Sequence, residues 1–281
     1  MVALSINSVP AADKIIYGAD DRLDLRDVRS QALLEVASST AAMIPKWKVS
    51  YLTRKNMPSS VLSLLTLQGS MGVCAHERFA KQPAVADCSG FLVDEKTIVT
   101  AGHCISESSG CKENSWVFGY ALDAAGDDFP LVSQSDVYSC KRVVRSVLNE
   151  IDRMDYAVVE LDRPVRGRRP LSFRKSGKLQ LGTEILVIGH PSGLPTKVAG
   201  GAQVLEYDNN VFFRANLDTY GGNSGSAVFN AETLEVEGIL VRGARDYVQS
   251  PLGCLISNVV PTPRATEAVT VITNVAEIRD L

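Results

Sequence analysis

The chain has 281 residues, enough for one large domain or two small ones, and its 45% hydrophobic and 22% charged residues are ordinary for a globular protein. A net charge of −3, from 29 basic and 32 acidic residues, argues against a nucleic-acid partner, which would call for a basic stripe. No apolar run is long enough to span a bilayer, so membrane insertion is not expected.

In chain order, Met1–Pro10 is too short, and lacks the basic start, to be a complete secretory signal. Residues 1–14 read as a leader or propeptide. Asp27–Val36 carries apolar residues at Val28, Leu33, Leu34 and Val36, the pattern of a short one-sided helix. Strand signals then dominate: Gly90–Val93 with Thr97–Thr100, Trp116–Tyr120, Tyr156–Leu161, Glu184–Gly189, Val211–Leu217 and Val236–Val241. Short strands at this spacing, without long helices between them, predict an all-β sandwich or barrel. Asp162–Ser176, rich in proline and basic residues, breaks the pattern and reads as a connection between two halves. Thr273–Leu281 predicts a short closing helix, and no internal repeat is visible.

Six cysteines, Cys74, Cys88, Cys104, Cys111, Cys140 and Cys254, occur without a CxxC pair. That argues against zinc and redox motifs and for three disulfides in an oxidising compartment, hence a secreted or periplasmic protein. The alternative is six buried thiols in a cytosolic protein. Six cysteines allow fifteen pairings, so counting leaves the connectivity open.

Only three histidines are present: His76, His103 and His190. His103 follows the apolar strand signal TIVTA and precedes Cys104. The segment from Cys88 to Cys104 reads as strand, turn, strand, and a disulfide across it would fix where His103 points. Asp155 stands at the entry of an alternating apolar strand, where a carboxylate is suited to hold the second nitrogen of a histidine. Ser224 lies in GGNSGSAVF, Gly221–Phe229. Its glycines fit a surface turn, and they also fit a backbone that must turn tightly beside a substrate. With Ser224 as nucleophile and His103 as general base, the amides of Gly222 and Ser224 are the candidate oxyanion donors.

TAGHC, DYAVVEL and GGNSGS, in that order, resemble the three signature segments of the chymotrypsin-like serine proteases. The GNSGS form resembles the bacterial glutamyl-endopeptidase-like branch. The resemblance runs from about Cys74 to the C terminus. It implies two six-stranded antiparallel barrels, here residues 15–165 and 166–281, with the catalytic groups in the cleft between them. It implies a Ser224–His103–Asp155 triad, polypeptide substrates, no cofactor or metal, and a Cys88–Cys104 bridge. Cys111–Cys140 and Cys74–Cys254 are the pairings expected for the other four, the last by exclusion. An α/β-hydrolase is disfavoured, because its chain order is serine, acid, histidine. His190 and His76 read as structural or surface residues, and the acidic run Asp123–Asp128 as a solvated loop rather than a calcium site.

The chain departs from the trypsin pattern in two places. Asn223 replaces the aspartate that pairs with a freed N-terminus, yet Lys14-Ile15-Ile16-Tyr17-Gly18 resembles an activation site. A zymogen cut after Lys14 by an activating protease is therefore expected, with Ile15 docking by another contact. Asp218 falls where trypsin-like enzymes place the carboxylate that receives Lys or Arg, so a basic P1 residue is expected, with Thr219, Val241, Arg242 and Gly243 completing the substrate-binding set. Acidic P1 specificity would want a histidine near Leu240; Arg242 or Arg245 is its alternative cation. The competing function is a protease-like binding protein without activity, whose usual signature, a replaced triad residue, is absent.

Overall fold

The computed structural model describes residues 16–17, 19–55, 57–105, 110–123, 128–243, 245–260 and 267–281. Strands β1 (Thr40–Pro45), β2 (Cys88–Asp94), β3 (Thr97–Thr100), β4 (Asn114–Phe118), β5 (Val137–Leu148) and β6 (Asp155–Leu161) close a barrel in the order β1-β2-β3-β6-β5-β4. Strands β7 (Glu184–Gly189), β8 (Lys197–Tyr207), β9 (Phe212–Ala215), β10 (Ala227–Asn230), β11 (Val236–Arg242) and β12 (Glu267–Val271) close a second barrel in the order β7-β8-β9-β12-β11-β10. Within each barrel every pairing is antiparallel. The ring order is the same in both, a topological repeat with no counterpart in the sequence.

Side-chain alternation explains how the barrels join. Strand β6 is buried along its whole length. Ala157, Val159 and Leu161 point into the first barrel, against Leu92, Trp116 and Phe118. Tyr156 and Val158, on the other face, join a core shared with Ile188, Ala227, Phe229, Ile239 and Val241 of the second barrel. Val228, between Ala227 and Phe229, turns the other way into the second barrel's own interior with Val187, Phe213 and Leu240. Each aliphatic or aromatic side chain buried this way contributes roughly 1.5–3 kcal/mol. The seam between the barrels is therefore a shared hydrophobic core, and the cleft lies at its edge.

The strands expected from the sequence are present, and the helices differ. The first helix, α1, spans Gln31–Ser38 rather than Asp27–Val36. Ser30 caps it, its Oγ accepting from the Leu33 N–H, and Leu25–Asp27 forms a separate 3-10 turn. Three further helices, α2 (Lys46–Thr53), α3 (Ser59–Leu65) and α4 (Leu67–Met71), stand between β1 and β2, where no helical period is visible in the sequence. Of α2 only Val49 and Leu52 are buried, too few to write an amphipathic stripe. The closing helix over Thr273–Leu281 is not formed. Two 3-10 turns, Ile272–Asn274 and Ala276–Ile278, take its place, and Ile272, Val275 and Ile278 pack into the seam.

The first described residues lie against the second barrel. Leu23–Asp24 pairs with β8, and Ile16–Tyr17 runs parallel to Val259–Val260. Disulfides join Cys74 to Cys254, Cys88 to Cys104 and Cys111 to Cys140. Among the described residues no helix is long and apolar enough to cross a membrane. The expected cut after Lys14 lies outside the described residues, as does most of the acidic run Asp123–Asp128.

Candidate active site

His103 sits in a 3-10 turn, Gly102–Cys104, that comes after β3, with Cys104 bridged to Cys88 at the start of β2. Asp155 is the first residue of β6, and its side chain is 1% exposed. The two meet twice. His103 Nδ1 lies 2.8 Å from Asp155 Oδ2, and the His103 backbone N–H donates to Asp155 Oδ1 at 3.1 Å. The strand holding Asp155 is itself tied to the second barrel, where Thr270 Oγ1 donates to the Asp155 carbonyl at 3.0 Å. A carboxylate so held orients the imidazole with Nε2 toward the cleft and favours the Nδ1–H tautomer.

Ser224 occupies a tight turn before β10. Gly222 and Gly225 have φ of +89° and +86°, and a Cβ on Gly222 would come within 2.5 Å of the His190 carbonyl oxygen. Only glycine fits there without strain. The amides around Ser224 divide sharply. Gly221 N–H donates to Asp246 Oδ2, Asn223 N–H to the Tyr220 carbonyl, Gly225 N–H to the Leu240 carbonyl and Ser226 N–H to the Asn223 carbonyl. The amides of Gly222 and Ser224 have no acceptor among the described residues. Two amides left without an acceptor in one turn are the kind of donor pair that can receive an oxyanion.

Sequence reasoning missed Ser89, in β2 of the first barrel. It is fully buried; its Oγ donates to the Gly222 carbonyl at 2.8 Å and accepts from His190 N–H at 3.0 Å, and its own N–H donates to the Ser224 carbonyl at 2.8 Å. One serine of the first barrel thus fixes the Ser224 turn of the second. Its only sequence signal was adjacency to Cys88. Asp246 and Glu267, which hold Gly221 and Thr219, were also missed because each reaches the site from a distant strand or loop.

His103, Asp155 and Ser224 line one cleft of about 420 Å³, together with Thr219, Tyr220, Leu240, Val241, Arg242 and Gly243. Of the expected substrate-binding set, Thr219, Val241, Arg242 and Gly243 line this cleft, and Asp218 does not. Asp218 is 3% exposed, and its carboxylate turns away from the cleft: Oδ1 accepts from the Tyr17 N–H at 2.8 Å and Oδ2 from the Asp21 N–H at 3.0 Å. Burial pushes it up to about 6, against those two hydrogen bonds, which lower it. The physical reason is geometric: both oxygens already serve backbone donors. Thr219 Oγ1 donates to the buried carboxylate of Glu267. Arg242 Nη2 donates to the Arg153 carbonyl at 3.0 Å and lies 3.7 Å from Asp155 Oδ2.

The other histidines stand apart. His190 is wholly buried, stacked on Tyr120 with ring centroids 5.6 Å apart, and its Nδ1 lies 3.0 Å from the Leu194 carbonyl. Burial pulls it down to about 3, so it stays neutral. His76 is exposed. Sulfur and nitrogen atoms of Cys88, His103 and Cys104 cluster within 4.8 Å, but both sulfurs are engaged in the disulfide and offer no thiolate to a metal.

The sequence profile of the trypsin-like peptidase domain matches residues 88–239, more than half of the chain. The chain belongs to the trypsin-like peptidase family. Among curated proteins, a glutamyl endopeptidase of Bacillus licheniformis is 27% identical over 154 residues, 52% of this chain and 46% of that protein. An uncharacterized protein of Sinorhizobium fredii is 27% identical over 189 residues, 58% of this chain and 26% of that protein. The chain thus spans less than half the length of these relatives. A solved glutamyl endopeptidase in complex with MPD superposes with a TM-score of 0.54 at 16% identity, covering 94% of this chain and 97% of that one. The active form of the Rv3671c protease of M. tuberculosis gives 0.51 at 13% identity, covering 99% and 92%, and the VesB protease of Vibrio cholerae gives 0.52 at 14%, covering 92% and 65%. At these identities the structural likeness speaks for the trypsin-like fold alone.

Proposed function

We propose that this trypsin-like peptidase is a serine endopeptidase working through an acyl-enzyme. His103 accepts the Ser224 hydroxyl proton at Nε2 as Oγ attacks the scissile carbonyl carbon. Asp155 stabilises the resulting imidazolium without taking the proton. The carbonyl oxygen, now negative, is received by the Gly222 and Ser224 amides. Collapse of the intermediate expels the amine, which takes the proton from His103. Water then repeats the sequence on the acyl-enzyme and releases the acid.

The observation that carries this reading is that Ser224, whose amide has no acceptor among the described residues, lines one cleft with the doubly hydrogen-bonded His103–Asp155 pair. The test is labelling with a fluorophosphonate probe. The parent protein should label, and Ser224→Ala should not. A parent that never labels, in any processed form, overturns the proposal.

Three finer points belong to the same proposal. Three disulfides suit an oxidising, secreted or periplasmic setting. A cut after Lys14 would generate the mature chain, and N-terminal sequencing of active protein checks it: a start upstream of Lys14 overturns that step. Thr219, Leu240 and Val241 line the cleft and Asp218 is turned away from it, which supports a neutral P1 residue rather than the basic one suggested by the position of Asp218.

A further inference from the structure

The described part of the N-terminal segment packs beside the loop that leads into the Ser224 turn. The described residues of that segment converge on one carboxylate. Asp218 accepts the Tyr17 N–H at 2.8 Å and the Asp21 N–H at 3.0 Å. Ile16, 2% exposed, donates its N–H to the Asn258 carbonyl and packs in one cluster with Leu194, Tyr220 and Tyr247. Arg22, also 2% exposed, lays its guanidinium 4.2 Å from the Tyr220 ring centroid and is paired with Asp20 at 2.8 Å. Lys197 closes the same region by meeting Asp24 at 2.5 Å.

These contacts bear on the chemistry through the three residues immediately C-terminal to Asp218. Thr219, Tyr220 and Gly221 line the cleft. The Tyr220 carbonyl accepts from the Asn223 N–H, closing the turn that aims the Gly222 and Ser224 amides. The Gly221 carbonyl accepts from the Ser192 N–H at 2.5 Å. A shift of Tyr220 is therefore passed to the oxyanion donors across one hydrogen bond.

We propose that Asp218 is a positioning residue: it is the receptor for the N-terminal segment, and through Thr219–Gly221 it holds the cleft wall and the oxyanion turn in register. The inference rests on the endopeptidase reading for its catalytic consequence and on geometry for its structural one. Asp218 touches no substrate. It converts docking of Tyr17 and Asp21 into order at Gly222. Two amide donors on one buried carboxylate are strong, directional bonds, and displacement of a catalytic group by as little as 1 Å costs up to about a hundredfold in rate.

The experiment compares the full chain with Asp218→Asn, which keeps one acceptor oxygen, and Asp218→Ala, which keeps none. Active-site titration with a burst substrate counts competent sites, and turnover is expressed per titrated site. The expected result is a graded loss, about threefold for Asn and about tenfold or more for Ala. A residue that only stabilises the fold would lower the titrated fraction and leave the rate per site unchanged, and that result overturns the inference. Hydrogen exchange provides a readout independent of activity. In both variants the amides of Tyr17 and Asp21 should exchange faster together with those at Tyr220–Gly222. Faster exchange confined to the N-terminal segment overturns the coupling even if the parent proves inactive, an outcome that would count against the endopeptidase reading instead. Should Asp218→Ala fail to fold, Asp218→Asn decides on both readouts.

Discussion

Arg242 Nη2 lies 3.7 Å from Asp155 Oδ2, the oxygen that also meets His103 Nδ1 at 2.8 Å. The same nitrogen is held by the Arg153 carbonyl at 3.0 Å. A cleft-lining cation is thus engaged by the Asp155 carboxylate and by backbone. Its charge is half-buried, so solvent screening keeps its contribution modest. Arg242→Gln should lower kcat/KM by about threefold to tenfold, and equally for peptides with Glu or Ala at P1. A loss confined to the Glu substrate would show that Arg242 receives the substrate instead.

Ser89 carries a separate prediction. Removing its hydroxyl leaves the Gly222 carbonyl and the His190 N–H without their partner in a buried seam. Ser89→Ala should cost about 1–3 kcal/mol of stability, measured by urea unfolding. Under the proposed mechanism it should also reduce kcat more than it raises KM, because the Gly222 amide would then act on the transition state. A variant with parental kcat would mean that the turn keeps its shape without Ser89.

Asp218 makes stability depend on pH, because its folded value of about 6 lies above the ordinary 3.8. The folded protein binds this proton more tightly than the unfolded chain does, so protonation favours folding. That contribution is present at low pH and is lost as pH rises through about 6. Between pH 7 and pH 5 the parent should gain about 1 kcal/mol relative to Asp218→Asn. Unfolding free energies of both proteins at the two pH values give the answer, and a gap that does not change with pH refutes it.

A panel of peptide amides differing only at P1 reads the pocket. Peptides with neutral P1 residues should be cut faster than those with Arg or Lys, because both Asp218 oxygens are already bonded to backbone. Faster cleavage after Arg would mean that another carboxylate, such as the Glu267 that holds Thr219, reaches the substrate.

Much of the site could be read from local sequence because its parts are local demands. A turn at φ near +89° requires glycine at Gly222, a strand-entry carboxylate requires Asp155 before an alternating run, and a pinned hairpin requires Cys88 and Cys104 around His103. The β character was legible for the same reason: a strand buried on both faces needs a short, nearly continuous apolar run, and Tyr156–Leu161 is one. Helices α2, α3 and α4 left no such trace, since each buries too few residues to impose a period.

The sequence by itself determined the candidate catalytic residue types, their order, the strand class and the supply of cysteines. Tertiary structure alone decided where their second partners lie. Ser89 finds Gly222 across 133 positions, and Asp218 finds Tyr17 across 201. Asp218 is the clearest case. Its position suggests a substrate ligand, but which way a carboxylate faces depends on which donors the fold brings to it, and here those are the amides of Tyr17 and Asp21. A buried carboxylate without donors is costly, so the chain segment that can supply them wins the contact.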